Sequence, residues 1–217
     1  KESAQIWHSL DPKLTIKKCG RADNFWGPTG NEGPCGPTTE IYVNGIEIWN
    51  VVFNQYYQKP PSAGSGQATL DLLETPGIDT GMGLERLAMV VQNKPTVFET
   101  DLFAPIIELL PNDLPMPVKR VLADHLRASV FLIADGVRPS NKEAGYILRR
   151  LLRRIMAYQS TFDIHGDLFE AAAKVVADMF GARYPEVKDP RVLEVMESEK
   201  DKFDTATTKG IKELSKN

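Results

Sequence analysis

The stretch Gly77-Ile78-Asp79-Thr80-Gly81-Met82-Gly83-Leu84-Glu85-Arg86-Leu87 is the most informative part of this 217-residue chain. Gly81 and Gly83 have no Cβ, so the backbone there can approach a ligand closely. Arg86 follows on the first turn of an apolar helix, where its guanidinium can bind a phosphate. A dinucleotide-binding turn would need a third glycine at position 86 and a βαβ unit. The segment therefore predicts a nucleotide site that uses an arginine, with a plain strand-to-helix turn as the alternative.

A long strand is predicted just upstream of this segment. Residues Glu47 to Tyr56 are rich in β-branched and aromatic types, and they follow Asn44-Gly45, a pair typical of two-residue hairpin turns. Glu47 and Asn50 are polar positions inside this otherwise apolar strand. Polar side chains inside so apolar a strand need an explanation.

Composition restricts the class of protein. The formal net charge is −3, which argues against general affinity for nucleic acid, so RNA contact would need a local basic patch. Cys19 and Cys35 form neither a disulfide framework nor a CxxC metal motif, which favours a reducing compartment. The chain has no run of about 18 apolar residues and no signal-peptide pattern, so we expect a cytoplasmic protein without membrane insertion.

A basic patch does occur from Arg138 to Arg154, with six positive charges and one negative charge, a net of +5. A helix is predicted from Ala144 to Tyr158, because apolar residues recur there at helical spacing. These inward positions are Ile147, Leu148, Leu151, Leu152, Ile155 and Met156, and the spacing places Arg149, Arg150, Arg153 and Arg154 on the opposite face. No acidic residue lies between positions 144 and 159, so phosphate is the expected counter-charge, with a solvated helix surface as the alternative.

The organisation of the chain is predicted to be α+β. Strands and turns occupy residues 1 to about 92, with a flexible insertion at Pro60 to Gly66, and helices follow from about residue 98. Further helices are predicted at Val118 to Ala134, ending at Gly136, at Asp167 to Phe180, ending at Gly181, and after Asp189-Pro190. The last of these carries Val192, Met196, Glu199, Phe203, Ala206 and Leu214 near one face and is expected to be partly exposed.

Five segments carry a specific resemblance, and they occur in one order over roughly the first three quarters of the chain. They are Asp23-Asn24-Phe25-Trp26, Gly33-Pro34-Cys35-Gly36-Pro37, Glu47 to Phe53, Asp79 to Arg86, and Ala123 to Arg127 through Asn141 to Arg154. Together they resemble the alanine–tRNA ligase family of class II aminoacyl-tRNA synthetases. The resemblance implies that residues 1–97 are the C-terminal part of the aminoacylation domain, with part of the class II antiparallel sheet and its third motif. Residues 98–217 would be an incomplete helical region that recognises the tRNA acceptor stem.

The resemblance also implies ATP and Mg²⁺ as cofactors, and no zinc is expected in this portion. Arg86 would be a catalytic residue that contacts ATP, with Gly81, Gly83 and Glu47 beside the nucleotide. Glu47 and Asn50 would supply oxygen ligands to the Mg²⁺ bound with ATP. Positions three apart in a regular strand face opposite sides, so sharing one metal requires a bulge or strong twist between them.

For the amino acid, the resemblance implies that Asp79 is the second catalytic residue and binds the ammonium group of alanine. Trp26, Asn50, Val52 and Gly81 would complete the alanine site, with Trp26 and Val52 as walls of the methyl pocket. Ordinary core packing is the alternative for Trp26 and Val52, and a plain turn residue is the alternative for Asp79.

For the RNA, the resemblance implies that Asn141 reads the G·U wobble pair of the tRNA(Ala) acceptor stem. An amide suits that role because it both donates and accepts hydrogen bonds. Arg149, Arg150, Arg153 and Arg154 would bind the RNA, and N-capping of the following helix is a second use of Asn141. His125 is expected to be structural.

The chain also departs from the family pattern. Thr38 stands where the usual loop has a second cysteine, and nothing before Trp7 can be the first or second class II motif. We therefore expect a portion of an enzyme, inactive alone, whose partner is the missing N-terminal half of the catalytic domain. The alternative is a non-catalytic module that binds the tRNA acceptor stem.

Overall fold

Residues 2–61 and 68–215 are described by the computed structural model, and the fold is α+β, as predicted. The chain divides into a sheet unit, residues 1–93, and a helical unit, residues 94–217. Most of the insertion predicted at 60–66 lies outside the described residues. No helix among the described residues is long and apolar enough to span a membrane.

The sheet unit is built on one antiparallel sheet with the strand order β1-β2-β3-β4. Its strands are β1 (Phe25–Trp26), β2 (Gly33–Val43), β3 (Ile46–Lys59) and β4 (Thr69–Met82), and its helices are α1 (Glu2–Leu10) and α2 (Leu84–Val91). Asn44 and Gly45 join β2 to β3 with φ values of 52° and 79°. Two positive φ values in a two-residue loop match the twist of the flanking strands, so the predicted hairpin turn is confirmed.

A β-bulge interrupts β3 at Ile48. Ile41 of β2 lies opposite Trp49 and the next residue, Tyr42, lies opposite Glu47, so Ile48 has no residue opposite it on β2. An extra residue of this kind bends the strand and breaks the two-residue alternation of its side chains. The bulge predicted between Glu47 and Asn50 is therefore present.

The backbones of β2 and β3 approach closely at Gly36. A Cβ added there would lie 1.7 Å from the carbonyl oxygen of Phe53. Only glycine fits so close to a neighbouring backbone. On the same strand, Thr39 Oγ1 accepts a 2.9 Å hydrogen bond from Trp7 Nε1 of α1.

The helical unit packs four helices around α4, and its apolar side chains form one buried cluster. Its helices are α3 (Ala104–Ile107), α4 (Met116–Ala134), α5 (Glu143–Thr161), α6 (Leu168–Phe180) and α7 (Arg191–Leu214), with short 3-10 turns at Val97–Glu99 and Pro185–Lys188. Helix α4 contacts α3, α5, α6 and α7. The cluster includes Leu122 and Leu126 of α4, Leu148 of α5, Phe169 of α6 and Met196 of α7.

Local capping signals set several helix ends. The Asp167 carboxylate accepts a 2.9 Å hydrogen bond from the Glu170 N–H at the start of α6, and α6 ends at Gly181. Gly136 has a φ of 92° just after α4, a conformation that favours glycine at a helix end. The ends predicted for α4 and α6 are therefore confirmed. In α7, burial stops after Phe203, and Ala206 is exposed, as expected for a partly exposed helix.

Candidate functional site

Two neighbouring cross-strand rows bring four of the predicted site residues together on one face of the sheet. Asn50 lies opposite Gly81 of β4, and Val52 lies opposite Asp79. Directly opposite residues face the same side of a sheet, and so do residues two apart on one strand. Asn50, Val52, Asp79 and Gly81 therefore form one contiguous patch.

Arg86 is brought to Glu47 by the start of α2. Gly83, the N-cap of α2, donates its N–H to the carbonyl oxygen of Ile48 at 3.1 Å, which ties the helix to the bulge. Arg86 Nη1 then lies 3.1 Å from the Glu47 carbonyl oxygen and 3.4 Å from Glu47 Oε2. Because the Arg86 side chain is 54% exposed, this ion pair contributes little to stability. The guanidinium can exchange this partner for a phosphate at small cost.

Asn50 carries an unsatisfied polar atom. Its Oδ1 is buried and has no hydrogen-bond partner among the described residues. An unpaired buried acceptor costs about 1–3 kcal/mol, which a ligand atom that donates to it or coordinates it would recover. The main-chain oxygen of Asn50, by contrast, accepts a 3.1 Å hydrogen bond from Thr80 Oγ1.

The sheet face beside Asp79 is open. Asp79 Oδ1 accepts the N–H of Thr80 at 2.8 Å, which orients the exposed carboxylate. Val52 is 6% exposed, and a Cβ added at Gly81 would meet no atom within 4 Å. Trp26, the other predicted wall, lies on β1 opposite Gly36, two strands away from Val52. The pairing register thus groups Val52, Gly81 and Asp79, and Trp26 lies two strands away across the sheet.

Glu40 is a residue of this face that sequence reasoning missed. It lies on β2 directly opposite Asn50, and its carboxylate accepts hydrogen bonds from Thr38 Oγ1 at 3.2 Å and from the Tyr42 hydroxyl at 2.8 Å. The bond from Tyr42 favours the protonated phenol and raises the pKa of Tyr42 to about 12. Counting back from the hairpin turn would have placed Glu40 opposite Trp49, because the bulge shifts the register by one residue. Thr38 Oγ1 also accepts a hydrogen bond from Asn24 Nδ2 at 3.4 Å.

Phosphate is not the counter-charge of every arginine of α5, and that prediction is wrong for Arg149 and Arg153. Arg149 Nε lies 3.1 Å from Glu199 Oε1, and Arg153 Nε lies 3.0 Å from the same oxygen. Glu199 belongs to α7 and is 1% exposed. The residues that neighbour α5 in sequence do not reveal this partner, because Glu199 is 46 residues from Arg153.

The remaining two arginines point elsewhere. Arg154 Nη1 lies 3.5 Å from His125 Nε2 of α4, and His125 Nδ1 lies 3.0 Å from Asp124 Oδ2. The hydrogen bond from His125 lowers the pKa of Asp124. Arg150 is exposed and pairs with none of the described residues. Ile147, predicted to face inward, is 48% exposed, while Leu148, Leu152, Ile155 and Met156 are buried as predicted and Leu151 is partly buried.

Asn141 is held by Arg149. Its Oδ1 accepts a hydrogen bond from Arg149 Nη1, and Arg149 Nη2 donates to the Pro139 carbonyl oxygen at 3.2 Å. The N-cap of α5 is Lys142, without a side-chain capping bond, so the alternative use of Asn141 as an N-cap is wrong. The loop packs closely on α5, since a Cβ at Gly145 would lie 2.4 Å from the Arg138 carbonyl oxygen.

Comparison with known proteins shows the family of the chain. The family profile described as tRNA synthetases class II (A) matches residues 1–217. The chain is 35% identical to the alanine–tRNA ligase of Treponema pallidum, over 99% of the chain and 40% of that protein. It is 37% identical to that of Rubrobacter xylanophilus, over 93% of the chain and 27% of that protein. It is 38% identical to that of Desulfosudis oleivorans, over 92% of the chain and 26% of that protein.

The chain therefore spans about a quarter to two fifths of the length of these relatives. Since the profile covers every residue, the chain belongs to the alanine–tRNA ligase family of class II tRNA synthetases.

Proposed function

We propose that this chain is the portion of an alanine–tRNA ligase in which the sheet unit binds ATP and alanine and the helical unit binds the acceptor stem of tRNA(Ala). The observation that carries the proposal is the patch of Asn50, Val52, Asp79 and Gly81 on one sheet face, next to the Arg86–Glu47 pair. A cytoplasmic location, with the rest of translation, belongs to the same proposal.

In amino-acid activation, a carboxylate oxygen of alanine attacks the α-phosphorus of ATP, and the bond to the β-phosphate breaks to release pyrophosphate. The chain's part is to position the reactants and to balance charge. The Asp79 carboxylate would accept hydrogen bonds from the alanine ammonium group. Val52 and the open space beside Gly81 would take its methyl group. Arg86 would leave Glu47 and neutralise phosphate charge.

Magnesium fits the oxygen donors on this face. The Glu47 carboxylate and the orphaned Asn50 Oδ1 are the hard oxygen ligands that Mg²⁺ prefers, and both stand beside the bulge. When bound together with ATP, the ion would neutralise phosphate charge. Asn141 and the exposed Arg150 would then serve the second reaction, in which alanine is transferred to the 3′ end of the tRNA.

Alanine-dependent exchange of pyrophosphate into ATP tests the first half. We expect no exchange by the 217-residue chain alone, because the resemblance implies that the phosphate-binding arginine of the second class II motif lies outside these residues. Exchange should occur when the chain is joined to a segment that carries that motif. Exchange by the isolated chain would refute the expectation that the chain is inactive alone. No exchange by the joined protein would favour a module that only binds tRNA.

In the joined protein, Asp79→Ala should lower kcat/KM for alanine by roughly 30- to 1000-fold, about 2–4 kcal/mol, because the ammonium group loses its partner. Asp71→Ala is the matched control, since Asp71 lies on the same strand and pairs with Lys59 instead. An unchanged kcat/KM for Asp79→Ala would remove Asp79 from the alanine site.

A further inference from the structure

Arg149 is held by one ion pair and two hydrogen bonds. Its Nε lies 3.1 Å from Glu199 Oε1 without forming a hydrogen bond, its Nη2 donates to the Pro139 carbonyl oxygen at 3.2 Å, and its Nη1 donates to Asn141 Oδ1. A guanidinium is planar and rigid, so the two hydrogen bonds set its orientation while the ion pair keeps it beside Glu199. Whatever holds Arg149 therefore also holds the side-chain amide of Asn141.

Glu199 is the buried residue in the series of contacts from Glu199 to Arg149 to Asn141. It is 1% exposed on α7, one helical turn from the fully buried Met196. A carboxylate in such a place is stable only when it is paired, and removing its partners is strongly destabilising. Glu199 Oε1 lies within 3.1 Å of two guanidinium nitrogens, one from Arg149 and one from Arg153. Arg153 donates a hydrogen bond to this oxygen and stays 45% exposed, whereas Arg149 pairs with it by charge and is 21% exposed.

Asn141 is the exposed residue at the other end of this series of contacts. Its side chain is open to solvent, and Arg149 occupies one acceptor position of Oδ1. The amide still has both N–H donors of Nδ2 and a second lone pair on Oδ1 for a ligand. An amide that can rotate presents donor and acceptor interchangeably, whereas an amide held through Oδ1 presents them in one arrangement. Discrimination between base pairs depends on that arrangement.

We propose that Glu199 is a positioning residue for Asn141, acting through Arg149, and that helix α7 thereby sets which acceptor-stem base pair the chain accepts. This inference rests on the proposed function of the helical unit in tRNA binding. Arg153 provides an internal control, because it shares Glu199 with Arg149 but makes no hydrogen bond to Asn141 in the described structure.

The positioning itself can be measured without RNA, from the side-chain amide signals of Asn141 in NMR spectra of the ¹⁵N-labelled chain. Arg149→Lys keeps the charge but loses the planar fork, and Glu199→Gln keeps the size but loses the charge. Both should move the Asn141 signals toward those of a freely rotating amide, and Arg153→Lys should leave them in place. Unchanged signals in Arg149→Lys, or equal changes in Arg153→Lys, would overturn the proposal. If circular dichroism shows that Glu199→Gln unfolds the helical unit, the Asn141 signals of Arg149→Lys decide the question.

Selectivity is measured with two RNA hairpins that carry the acceptor stem with a G·U or a G·C pair. Arg149→Lys and Glu199→Gln should each reduce the ratio of the two affinities by roughly tenfold or more. The double variant should lose no more than Arg149→Lys alone, because both residues act through one contact. Arg153→Lys should keep the ratio, because Arg153 makes no hydrogen bond to Asn141 in the described structure. Additive losses, or a retained ratio in Arg149→Lys, would contradict the proposal.

The two experiments separate this inference from the proposed function. A wild-type chain that binds neither hairpin, or binds both equally, would refute tRNA discrimination by the helical unit and with it the selectivity assigned to Glu199. The NMR measurement would still decide whether Glu199 positions Asn141.

Discussion

The helical unit buries 21 apolar side chains in one cluster, whereas Cys35, Val52 and Met89 are the only buried apolar residues among those described in the sheet unit. Strand β4 is exposed along almost its whole length. The sheet unit is therefore held mainly by the hydrogen-bond ladder that joins its strands, and its site residues project from that ladder. In the helical unit, the buried Glu199 pairs with Arg149, which donates a hydrogen bond to Asn141. The candidate site residues thus lie on a backbone ladder in one unit and next to a packed interior in the other.

The largest effect should come from opening the helical core. Leu126→Ala removes a side chain that is 0% exposed and should lower the free energy of unfolding of the helical unit by about 2–5 kcal/mol, because it leaves a cavity. Leu72→Ala, at a position 76% exposed on β4, should change stability by about 0.5 kcal/mol or less. Urea unfolding followed by circular dichroism at 222 nm measures both. Similar losses in the two variants would contradict the difference in burial.

In the sheet unit, the sensitive position should be a glycine. Gly36→Ala would place a Cβ 1.7 Å from the Phe53 carbonyl oxygen and should cost about 1–3 kcal/mol or more, because β2 and β3 must move apart. Gly77→Ala is the control, since a Cβ there meets no atom within 4 Å. Tryptophan emission reports on this unit alone, because Trp7, Trp26 and Trp49 all lie within residues 1–93. Equal stability of the two variants would show that the close approach does not hold the sheet.

A smaller effect is expected at the start of α6, and it should depend on pH. Burial acts to raise the pKa of Asp167, but the Glu170 N–H and the nearby Lys200 outweigh it, so the pKa is lowered in the folded state. A lowered folded pKa gives stabilisation that is complete above the unfolded value of about 3.9 and is lost as pH falls through the folded value. Asp167→Ala should therefore cost about 1 kcal/mol at pH 7 and progressively less below about pH 4.

Asp167→Asn is the matched control for this helix end, because the amide oxygen can still cap the helix but does not titrate in this range. Thermal unfolding of wild type and both variants between pH 3 and pH 7 gives the comparison. A cost of Asp167→Ala that stays constant across this range would show that the charge of Asp167 contributes nothing.

The smallest effect on stability should occur at Arg150, which pairs with none of the described residues. Arg150→Ala should change unfolding by about 0.5 kcal/mol or less, yet weaken binding of all acceptor stems alike and lower the slope of log affinity against log salt by about one unit. Asn141→Ala should leave that slope unchanged and remove about 1–3 kcal/mol of discrimination between G·U and G·C stems. Titrations of both hairpins at several salt concentrations measure these quantities. Altered selectivity in Arg150→Ala would reverse the two roles.

Local signals carried the sequence predictions that the structure confirmed. The turn at Asn44-Gly45, the end of α4 before Gly136 and the start of α6 at Asp167 each depend on residues only a few positions apart. The bulge at Ile48 was predicted from the magnesium roles that the resemblance implies for Glu47 and Asn50, because positions three apart in a regular strand face opposite sides. The roles assigned to these residues stay predictions until the binding experiments are done.

The amino-acid sequence by itself determined the α+β class, the hairpin and most helix boundaries, because turn residues, caps and apolar periodicity act over a few neighbouring residues. The family was identified from the resemblance carried by five segments of the sequence. Tertiary structure alone decided that Arg149 and Arg153 meet a buried Glu199, that Glu40 lies opposite Asn50, and that Gly36 touches the Phe53 carbonyl oxygen. These contacts join residues that are far apart in the chain or whose register depends on a bulge. No periodicity within one element encodes them, because each depends on how two elements pack or pair.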